Sequence, residues 1–392
     1  MQAARRLDRI PPYLFAELER KREALRSRGV DVIDLGIGDP DLPTPPHVVE
    51  ALARAAADPA THRYPSYNGA RDFREGVARW FSGRFGVDLD PEAEVLALIG
   101  SKEGLAHMVW AFVDPGDAVL VPDPAYPVYG VHTLLAGGEP YPLPLRPENR
   151  FLPDLEAVPV NVARRARLLF LNYPNNPTGA VADLDFFQRA VDFARRHEIV
   201  ICHDAAYTEL TYDGYVAPSI LEVPGAREVA VEFHSLSKPF NMTGWRIGFA
   251  VGSRQVLAAL AQVKTNTDSG QFTAVQRAAL AALLETPASW REALLDTYRR
   301  RRDLMVAALR DAGLPGVEAP LGSLYIWAPV PRGYDSGSFA EQVLEETGVV
   351  VAPGAAYGEA GEGYYRISLT APDDRLAEAA RRLRTLRLGG GA

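Results

Sequence analysis

Six short apolar segments, each ending in turn residues, follow one another between Val95 and Val251. They read VLALIG, AVLVPDP, LLFLNYP, IVICHD, VAVEFHS and IGFAVG. Segments that are apolar along most of their length, instead of alternating with polar residues, are typical of strands buried on both faces. A turn and then helical sequence follow each segment, and this repeated order predicts an α/β domain with a mostly parallel sheet.

The sequence on either side of these segments is different and predicts a second, smaller domain. Helical sequence spans residues 14–28, and Arg-rich helical sequence spans residues 290–311 and 374–386. Between the last two, SLYIWAPV and YYRISLT alternate as half-buried strands do. We therefore expect residues 1–50 and 286–392 to form an α+β domain beside a large domain of residues 51–285, with the terminal RLGGGA frayed.

The composition indicates a globular protein with a sizeable core. The 392 residues are 47% hydrophobic, and a net charge of -8 argues against binding to nucleic-acid phosphates. No apolar run reaches the roughly 18 residues of a membrane span. The opening MQAARRLDRI lacks the apolar core of a signal peptide, and a single cysteine, Cys202, cannot form an internal disulfide. We expect a cytoplasmic protein that binds small molecules, and neither nucleic acid nor membranes.

Polar residues cluster where the apolar segments end, which is where open α/β sheets bind ligands. Taken alone, each cluster has a structural explanation, since Ser101 and Asp204 could cap helices and Lys238 could be a surface lysine. Taken together, they supply a helix start and an arginine for a phosphate, a carboxylate for a ring nitrogen, and an amine that forms Schiff bases. Pyridoxal phosphate (PLP) carries all three groups. The clusters read GSKEG, NYPNNPTG, HDAAY and SLSKPFNMTGWRIG.

With these clusters, the sequence resembles the class I and II aminotransferases of PLP-dependent fold type I. Further matches occur in the family's order along nearly the whole chain: LGIGDPDLPTP, YPSYNG, PDPAYPVY and YYRISL. The resemblance implies that PLP is the cofactor. It also implies a large domain with a mostly parallel seven-stranded sheet and a smaller α+β domain built from both chain ends.

The resemblance assigns catalytic roles to three residues. Lys238 would hold PLP as a Schiff base and then move the proton between the substrate and the cofactor. Asp204 would keep the pyridine nitrogen protonated, so that the ring withdraws electrons. Tyr207, together with Asn176, would hydrogen-bond the phenolic oxygen of the cofactor.

The other matching residues are implied to bind the cofactor or the substrate. Tyr126 would stack on the cofactor ring. Arg366 would bind the substrate α-carboxylate, assisted by Asn176 and by the backbone at Ile37 and Gly38. The phosphate would be held by Ser101, Lys102, Ser235, Ser237 and Arg246.

Tyr64 matches the family tyrosine that reaches the phosphate bound by the partner subunit, which implies a homodimer with shared active sites. Cys202 lies in an apolar segment and is expected to be a small core residue. His203 and His234 are expected to point away from the site, because side chains alternate along a strand. No spacing of His, Cys and carboxylate residues indicates a metal site.

The implied reaction is transamination, in which an amino group passes between an L-amino acid and a 2-oxo acid, such as 2-oxoglutarate, in a ping-pong cycle. The closest resemblance is to the branch that includes LL-diaminopimelate and alanine-type aminotransferases. Tyr126 replaces the tryptophan of many aspartate-specific members. Some diaminopimelate enzymes carry a glutamate in the turn where this chain has Ser66, Tyr67 and Asn68. An alanine- or aspartate-type aminotransferase and a PLP-dependent C–S β-lyase remain alternatives.

Overall fold

The computed structural model describes residues 2–10 and 15–388, so Leu14 and the end of the RLGGGA terminus lie outside the described residues. Helices α1 to α13 are Phe15–Ser27, Pro46–Ala56, Arg71–Phe85, Ser101–Phe112, Val128–Ala136, Val160–Ala163, Leu184–His197, Ala226–Val229, Arg254–Thr265, Thr273–Glu285, Ala288–Asp311, Ser336–Thr347 and Asp373–Leu383. Within the described ranges, none of the helices combines the length and apolar character that a membrane span requires.

Strands β1 to β12 are Ile33–Asp34, Val95–Leu98, Ala118–Asp123, Glu139–Pro144, Ala166–Asn172, Val200–Asp204, Ala230–Ser235, Gly248–Gly252, Tyr325–Pro329, Val349–Val350, Ala352–Pro353 and Tyr364–Ser368. Short 3-10 helices are formed by Arg5–Arg9, Pro59–His62, Pro147–Asn149, Ile220–Glu222, Thr243–Trp245, Gly354–Tyr357 and Glu359–Gly361.

A seven-stranded sheet with the order β2-β8-β7-β6-β5-β3-β4 forms the centre of the large domain. Its strands are parallel except for β8, which runs antiparallel to both β2 and β7. The six predicted segments are β2, β3, β5, β6, β7 and β8, and nearly all their residues are buried. The structure therefore confirms the predicted α/β class and the mostly parallel seven-stranded sheet.

The seventh strand, β4, has the proline-rich sequence EPYPLP and was not among the six predicted segments. It lies at the edge of the sheet and pairs only with β3. The backbone N–H groups of Glu139 and Leu145 donate to Asp117 and Asp123 on the β3 side. The three prolines occupy the alternate positions between them, where the edge needs no donor. A search for apolar segments misses such a strand because its alternate residues are prolines.

Helices follow five of the six predicted segments, although after β6 there is only the four-residue α8, and the expectation of a helix is wrong after β7. Turns follow Asp204, so no helix begins there for its side chain to cap. Because β7 and β8 are antiparallel, no helical crossover is needed between them. Residues 236–247 instead form a turn-rich connection that contains Lys238 and Arg246.

The two ends of the chain share a separate apolar cluster. Residues of α11, α12 and α13 pack there against Ile33 and Leu35 and against β9 and β12, which pair in a three-stranded antiparallel sheet with β11. This packing supports a small domain built from both ends, and its boundaries at residues 50 and 285 stay a prediction. The expectation that β9 and β12 are half-buried is wrong, because helices cover one face and the other face contributes Tyr325 and Arg366 to the wall of a cavity.

Candidate active site

A cavity of about 400 Å³ lies between the ends of the parallel strands and the strands β9 and β12. It is lined by the predicted site residues Ile37, Gly38, Ser101, Lys102, Tyr126, Asn176, Asp204, Tyr207, Ser235, Ser237, Lys238, Arg246 and Arg366. Tyr64 is the exception, because it does not line the cavity and its side chain is 89% exposed. The fold therefore brings together residues that are separated by up to 329 positions in sequence, from Ile37 to Arg366.

Lys238 follows β7 in a turn and is only partly exposed. Its Nζ donates a hydrogen bond to the main-chain oxygen of Gly38 at 2.7 Å. Within the described ranges, no carboxylate lies within ion-pair distance of this amine. A single carbonyl thus holds the amine at the cavity wall, where it can react with a bound aldehyde.

The start of α4 forms a site for an anion. Ser101 and Lys102 occupy its first turn, whose free N–H groups favour negative charge. Arg246 has a φ of 54°, in the left-handed region. Its guanidinium lies close to Gly100, where a Cβ would be 2.5 Å from Nη2, and the φ of Gly100, 77°, favours glycine at this position. No carboxylate of the described residues pairs with Lys102 or Arg246, which leaves their charges to compensate a phosphate.

Asp204, at the end of β6, is a buried carboxylate with one unused oxygen. The Tyr129 hydroxyl donates to its Oδ2 at 2.8 Å, and Asn172 Nδ2 donates to its main-chain oxygen at 2.7 Å. Its Oδ1 has no hydrogen-bond partner among the described residues. Burial raises the pKa of Asp204, although the Tyr129 hydrogen bond opposes this effect. A protonated ring nitrogen would both use the free oxygen and stabilise the charged carboxylate.

Tyr207 and Asn176 are positioned as hydrogen-bond donors to a ligand. Burial raises the pKa of Tyr207, and the Tyr325 hydroxyl 3.1 Å away adds to the effect, so the Tyr207 hydroxyl keeps its proton. Asn176 is fixed at both ends, since its main-chain N–H donates to Asn172 Oδ1 and its own Oδ1 accepts from Arg366. Its side-chain nitrogen makes no hydrogen bond to a described residue, and so remains a donor for a ligand.

Arg366, on β12, is a buried cation whose position is tightly defined. Its Nη1 donates to Asn176 Oδ1 at 2.7 Å, and its Nη2 donates to the Gly36 oxygen at 2.6 Å. Its guanidinium carbon lies 4.0 Å from the ring centre of Tyr325 and 4.7 Å from that of Tyr357. No carboxylate in the described part of the chain pairs with it. A buried guanidinium between two aromatic rings is suited to binding a ligand carboxylate.

Several cavity residues were not predicted from the sequence. They are Asn172, Tyr325, Tyr357 and Thr243. Tyr129, which donates to Asp204 from outside the cavity lining, was not predicted either. A signal for Tyr129 was present, because it follows Tyr126 by one helical turn in PDPAYPVY. Tyr325 had no local signal, since its role depends on a strand from the other end of the chain.

A second polar cluster lies outside the cavity, beside α4. Glu103, His107 and Asp268 present side-chain atoms close enough to share a cation. The Nζ of buried Lys264 lies 2.8 Å from Asp268 Oδ1 and 3.4 Å from Glu103 Oε2. The lysine ammonium therefore supplies the positive charge that this cluster requires. The absence of a metal site stays a prediction.

The cavity residues fit PLP at each of its functional groups. The uncompensated cations at the start of α4 suit its phosphate, the unused Asp204 oxygen suits its ring nitrogen, and the Lys238 amine suits its aldehyde. Arg366 remains for the carboxylate of a substrate.

Comparisons with known proteins agree with this geometry. Residues 30–383 match the family described as aminotransferase class I and II. An LL-diaminopimelate aminotransferase of Moorella thermoacetica is 57% identical over 98% of this chain and 98% of its own. Another, from Gloeobacter violaceus, is 56% identical over 98% of each chain.

Solved structures are similar over the same length. Substrate-bound BacF from Bacillus subtilis has a TM-score of 0.93 and 37% identity, and covers 98% of both chains. A probable N-succinyldiaminopimelate aminotransferase from Thermus thermophilus has a TM-score of 0.90 and 43% identity, over 95% of this chain and 100% of that one. The chain therefore belongs to the class I and II aminotransferases, and is a fold type I transaminase whose cofactor is PLP.

Proposed function

We propose that this aminotransferase exchanges an amino group between LL-diaminopimelate and a 2-oxo acid, with 2-oxoglutarate as the preferred acceptor. One observation carries the choice of substrate: LL-diaminopimelate aminotransferases are 56–57% identical to this chain along 98% of its length. The cavity contributes the chemistry that any amino acid of this reaction needs, a cation for the α-carboxylate beside an amine that transfers protons.

Lys238 is the proposed catalytic base and acid. When bound, PLP supplies an aldehyde for the amino group and a ring that withdraws electrons from the substrate α-carbon. The hydrogen bond to the Gly38 oxygen, 2.7 Å long, holds the Lys238 amine at the wall beside this position. From there the Lys238 amine would accept a proton from the substrate α-carbon and hold it at Nζ for its return.

The other site residues bind and orient. Arg366 and Asn176, joined by a 2.7 Å hydrogen bond, receive the α-carboxylate, while Asp204 and Tyr207 hold the two ends of the cofactor ring system. Tyr126 stacks on that ring. Because Arg366 is the cation proposed to read the α-carboxylate, the amino donor and the 2-oxo acid must use it in turn. A shared carboxylate site accounts for a ping-pong order.

A donor screen tests the substrate. The holoenzyme would be assayed with LL-diaminopimelate, alanine, aspartate and glutamate, first against 2-oxoglutarate and then against pyruvate. The turn formed by Ser66, Tyr67 and Asn68 lacks the glutamate found in some diaminopimelate enzymes. Alanine and aspartate are therefore included as alternative amino donors. We expect the highest kcat/KM with LL-diaminopimelate, and a lower one with its meso stereoisomer as the matched control. A higher kcat/KM with alanine or aspartate would overturn the assignment.

The same preparation separates transamination from β-elimination. Cystathionine would be supplied without any 2-oxo acid, and pyruvate would be measured. A transaminase without an acceptor stops after one half-reaction, so we expect no more than one equivalent of product per active site. Continuous pyruvate release would instead establish a C–S β-lyase.

We also propose a homodimer with shared sites, in which Tyr64 contacts the phosphate of the partner subunit. The proposal is supported by the exposure of the Tyr64, Tyr67 and Phe272 side chains, which lie on two adjoining loops. The loops touch where Gly270 faces Ser66, since a Cβ on Gly270 would lie 3.1 Å from the Ser66 oxygen. An exposed aromatic patch of this kind favours association between copies of a chain. A cytoplasmic location, without nucleic-acid or membrane partners, is proposed from the composition alone.

Hybrid dimers test the sharing of sites. Tyr64→Phe should weaken PLP binding about ten- to a hundredfold, because a hydrogen bond to a charged phosphate is lost. In a hybrid with Lys238→Ala, the site with intact Lys238 receives its Tyr64 from the other chain and is complete. Chains refolded together at limiting PLP should therefore exceed the average activity of the separate preparations. Activity at the average, with hybrids confirmed by mass, would show that Tyr64 does not act in trans.

A further inference from the structure

Tyr325 on β9 touches both ends of the site without having been assigned a role. Its ring lies 4.0 Å below the guanidinium carbon of Arg366, and its hydroxyl lies 3.1 Å from the hydroxyl of Tyr207. The side chain is 2% exposed. Tyr325 therefore connects Arg366, which is proposed to bind the substrate carboxylate, with Tyr207, which is proposed to contact the phenolic oxygen of the cofactor.

The loop that contains Gly38 packs closely against the Tyr325 hydroxyl. A Cβ on Gly38 would lie 2.0 Å from this oxygen, so a larger residue at position 38 would displace it. The carbonyl of the same glycine accepts the hydrogen bond from Lys238. Among the described residues, Tyr207 is the one hydrogen-bond partner of the Tyr325 hydroxyl. The packing thus leaves this hydroxyl a single polar contact.

The direction of this hydrogen bond follows from the number of protons. Each hydroxyl carries one, so Tyr207 can donate to a ligand only if Tyr325 donates to Tyr207. A Tyr207 oxygen that accepts this bond is free to direct its own proton elsewhere. A hydroxyl that accepts a hydrogen bond also becomes a stronger donor.

We propose that Tyr325 is a positioning residue whose hydroxyl donates to Tyr207 and so directs the Tyr207 proton to the phenolic oxygen of the cofactor. The inference rests on the proposed function, in which Tyr207 contacts that oxygen. The other charged groups that act on Tyr207 are Arg366 and Asp204, and neither is altered when only the Tyr325 hydroxyl is removed. The Tyr325 ring and its contact with Arg366 also remain in Tyr325→Phe.

The test is a spectrophotometric pH titration of the Lys238-linked cofactor in the absence of substrate. Donation to the phenolic oxygen stabilises its deprotonated form and lowers the midpoint. We expect Tyr325→Phe to raise the midpoint by about 0.4 to 1 unit, the effect of one ordinary hydrogen bond. Tyr207→Phe should raise it further. In the Tyr207→Phe background, Tyr325→Phe should add nothing, because it acts through Tyr207.

Tyr365→Phe is the matched control, since it removes a buried hydroxyl from the neighbouring strand β12. It should leave the midpoint unchanged. A normal midpoint in Tyr325→Phe while Tyr207→Phe is shifted would overturn the inference and leave the proposed function intact. An equal shift from Tyr325→Phe with and without Tyr207 would also overturn it. An unshifted midpoint in Tyr207→Phe would refute the Tyr207 contact itself, and the inference with it.

Discussion

Two buried carboxylates on neighbouring strands have opposite surroundings. Asp204 ends β6 and faces the cavity, with Tyr129 on one oxygen and no partner among the described residues on the other. Glu232 lies within β7 on the far side of the sheet, where it accepts hydrogen bonds from His203 at 3.0 Å and His234 at 2.6 Å. It also accepts one from the Ser219 hydroxyl and one from the Ile220 N–H group, both at 3.0 Å.

The pKa values of the two carboxyls shift in opposite directions. Burial raises the pKa of Asp204. Burial acts in the same direction on Glu232, but the hydrogen bonds from His203 and His234 outweigh it and hold the pKa of Glu232 well below its usual range. Glu232 therefore has its partners within the protein, whereas Asp204 has a place for a cationic partner that a ligand must bring.

Substitutions at the two carboxylates should differ most in their effect on catalytic activity. Asp204→Asn keeps the shape of the side chain but cannot stabilise a protonated ring nitrogen, so we expect kcat to fall about 10²- to 10³-fold or more. Glu232→Gln should leave kcat within a few-fold of the parent, because its side chain does not line the cavity. Single-turnover kinetics with an amino donor measure both. Equal losses of kcat in the two variants would show that Glu232 matters as much for the reaction as Asp204, which would contradict the comparison.

Arg366 extends the comparison to the substrate end of the cavity. Arg366→Ala removes a charge-assisted bidentate contact, in which each hydrogen bond contributes about 1.5–3 kcal/mol, so amino-acid affinity should drop at least about tenfold. Binding of PLP should be unchanged, since Arg366 is not among the cofactor contacts. Half-reaction kinetics give the first quantity, and equilibrium dialysis of PLP gives the second. Unchanged kinetics would mean that another cation reads the carboxylate.

For the stability of the cofactor-free protein, Glu232 should matter more than Asp204, which reverses the order expected for activity. Glu232→Gln removes the negative charge and leaves one of the two buried histidines without an oxygen acceptor, which we expect to cost about 3 kcal/mol of unfolding free energy. Denaturant unfolding of the cofactor-free protein measures this loss. Glu345→Gln, at an exposed position of helix α12, is the control, and surface changes of this kind stay within about 0.5 kcal/mol. A loss in Glu232→Gln no larger than in this control would contradict the structural role.

The smallest expected effect concerns Asp204 in the cofactor-free protein. A carboxyl whose pKa is raised on folding lowers stability once the pH exceeds its unfolded value, because the folded state favours the protonated form. Asp204→Asn should therefore raise the melting temperature by about 1–3 °C near pH 8. The gain should vanish as the pH falls towards the ordinary aspartate value of about 4. With PLP bound, the sign should reverse. A destabilised cofactor-free variant would indicate that Asp204 has a cationic partner within the protein.

Much of this arrangement could be predicted from the sequence, because strands that are buried on both faces leave apolar segments and the polar residues after them meet at one edge. Alternation along β6 and β7 also predicted that His203 and His234 point away from the cavity, and the structure confirms this. What the sequence could not indicate is how the carboxylates are paired. Tyr129 reaches Asp204 from 75 positions away, and Tyr325 reaches Tyr207 from 118 positions away. Such contacts depend on the packing of whole elements.

The central claim, that this cavity binds PLP through Lys238, has a direct chemical test. The chain contains few lysines, namely Lys21, Lys102, Lys238 and Lys264. Of these, Lys102 and Lys238 line the cavity, so Lys102 is the matched alternative. The holoenzyme would be reduced with borohydride, digested and mapped by mass spectrometry, with Lys238→Ala, which should still bind PLP without a covalent link, as the control. We predict a pyridoxyl group on Lys238 alone. A pyridoxyl group on Lys102 or another lysine, or its persistence in Lys238→Ala, would contradict the assignment.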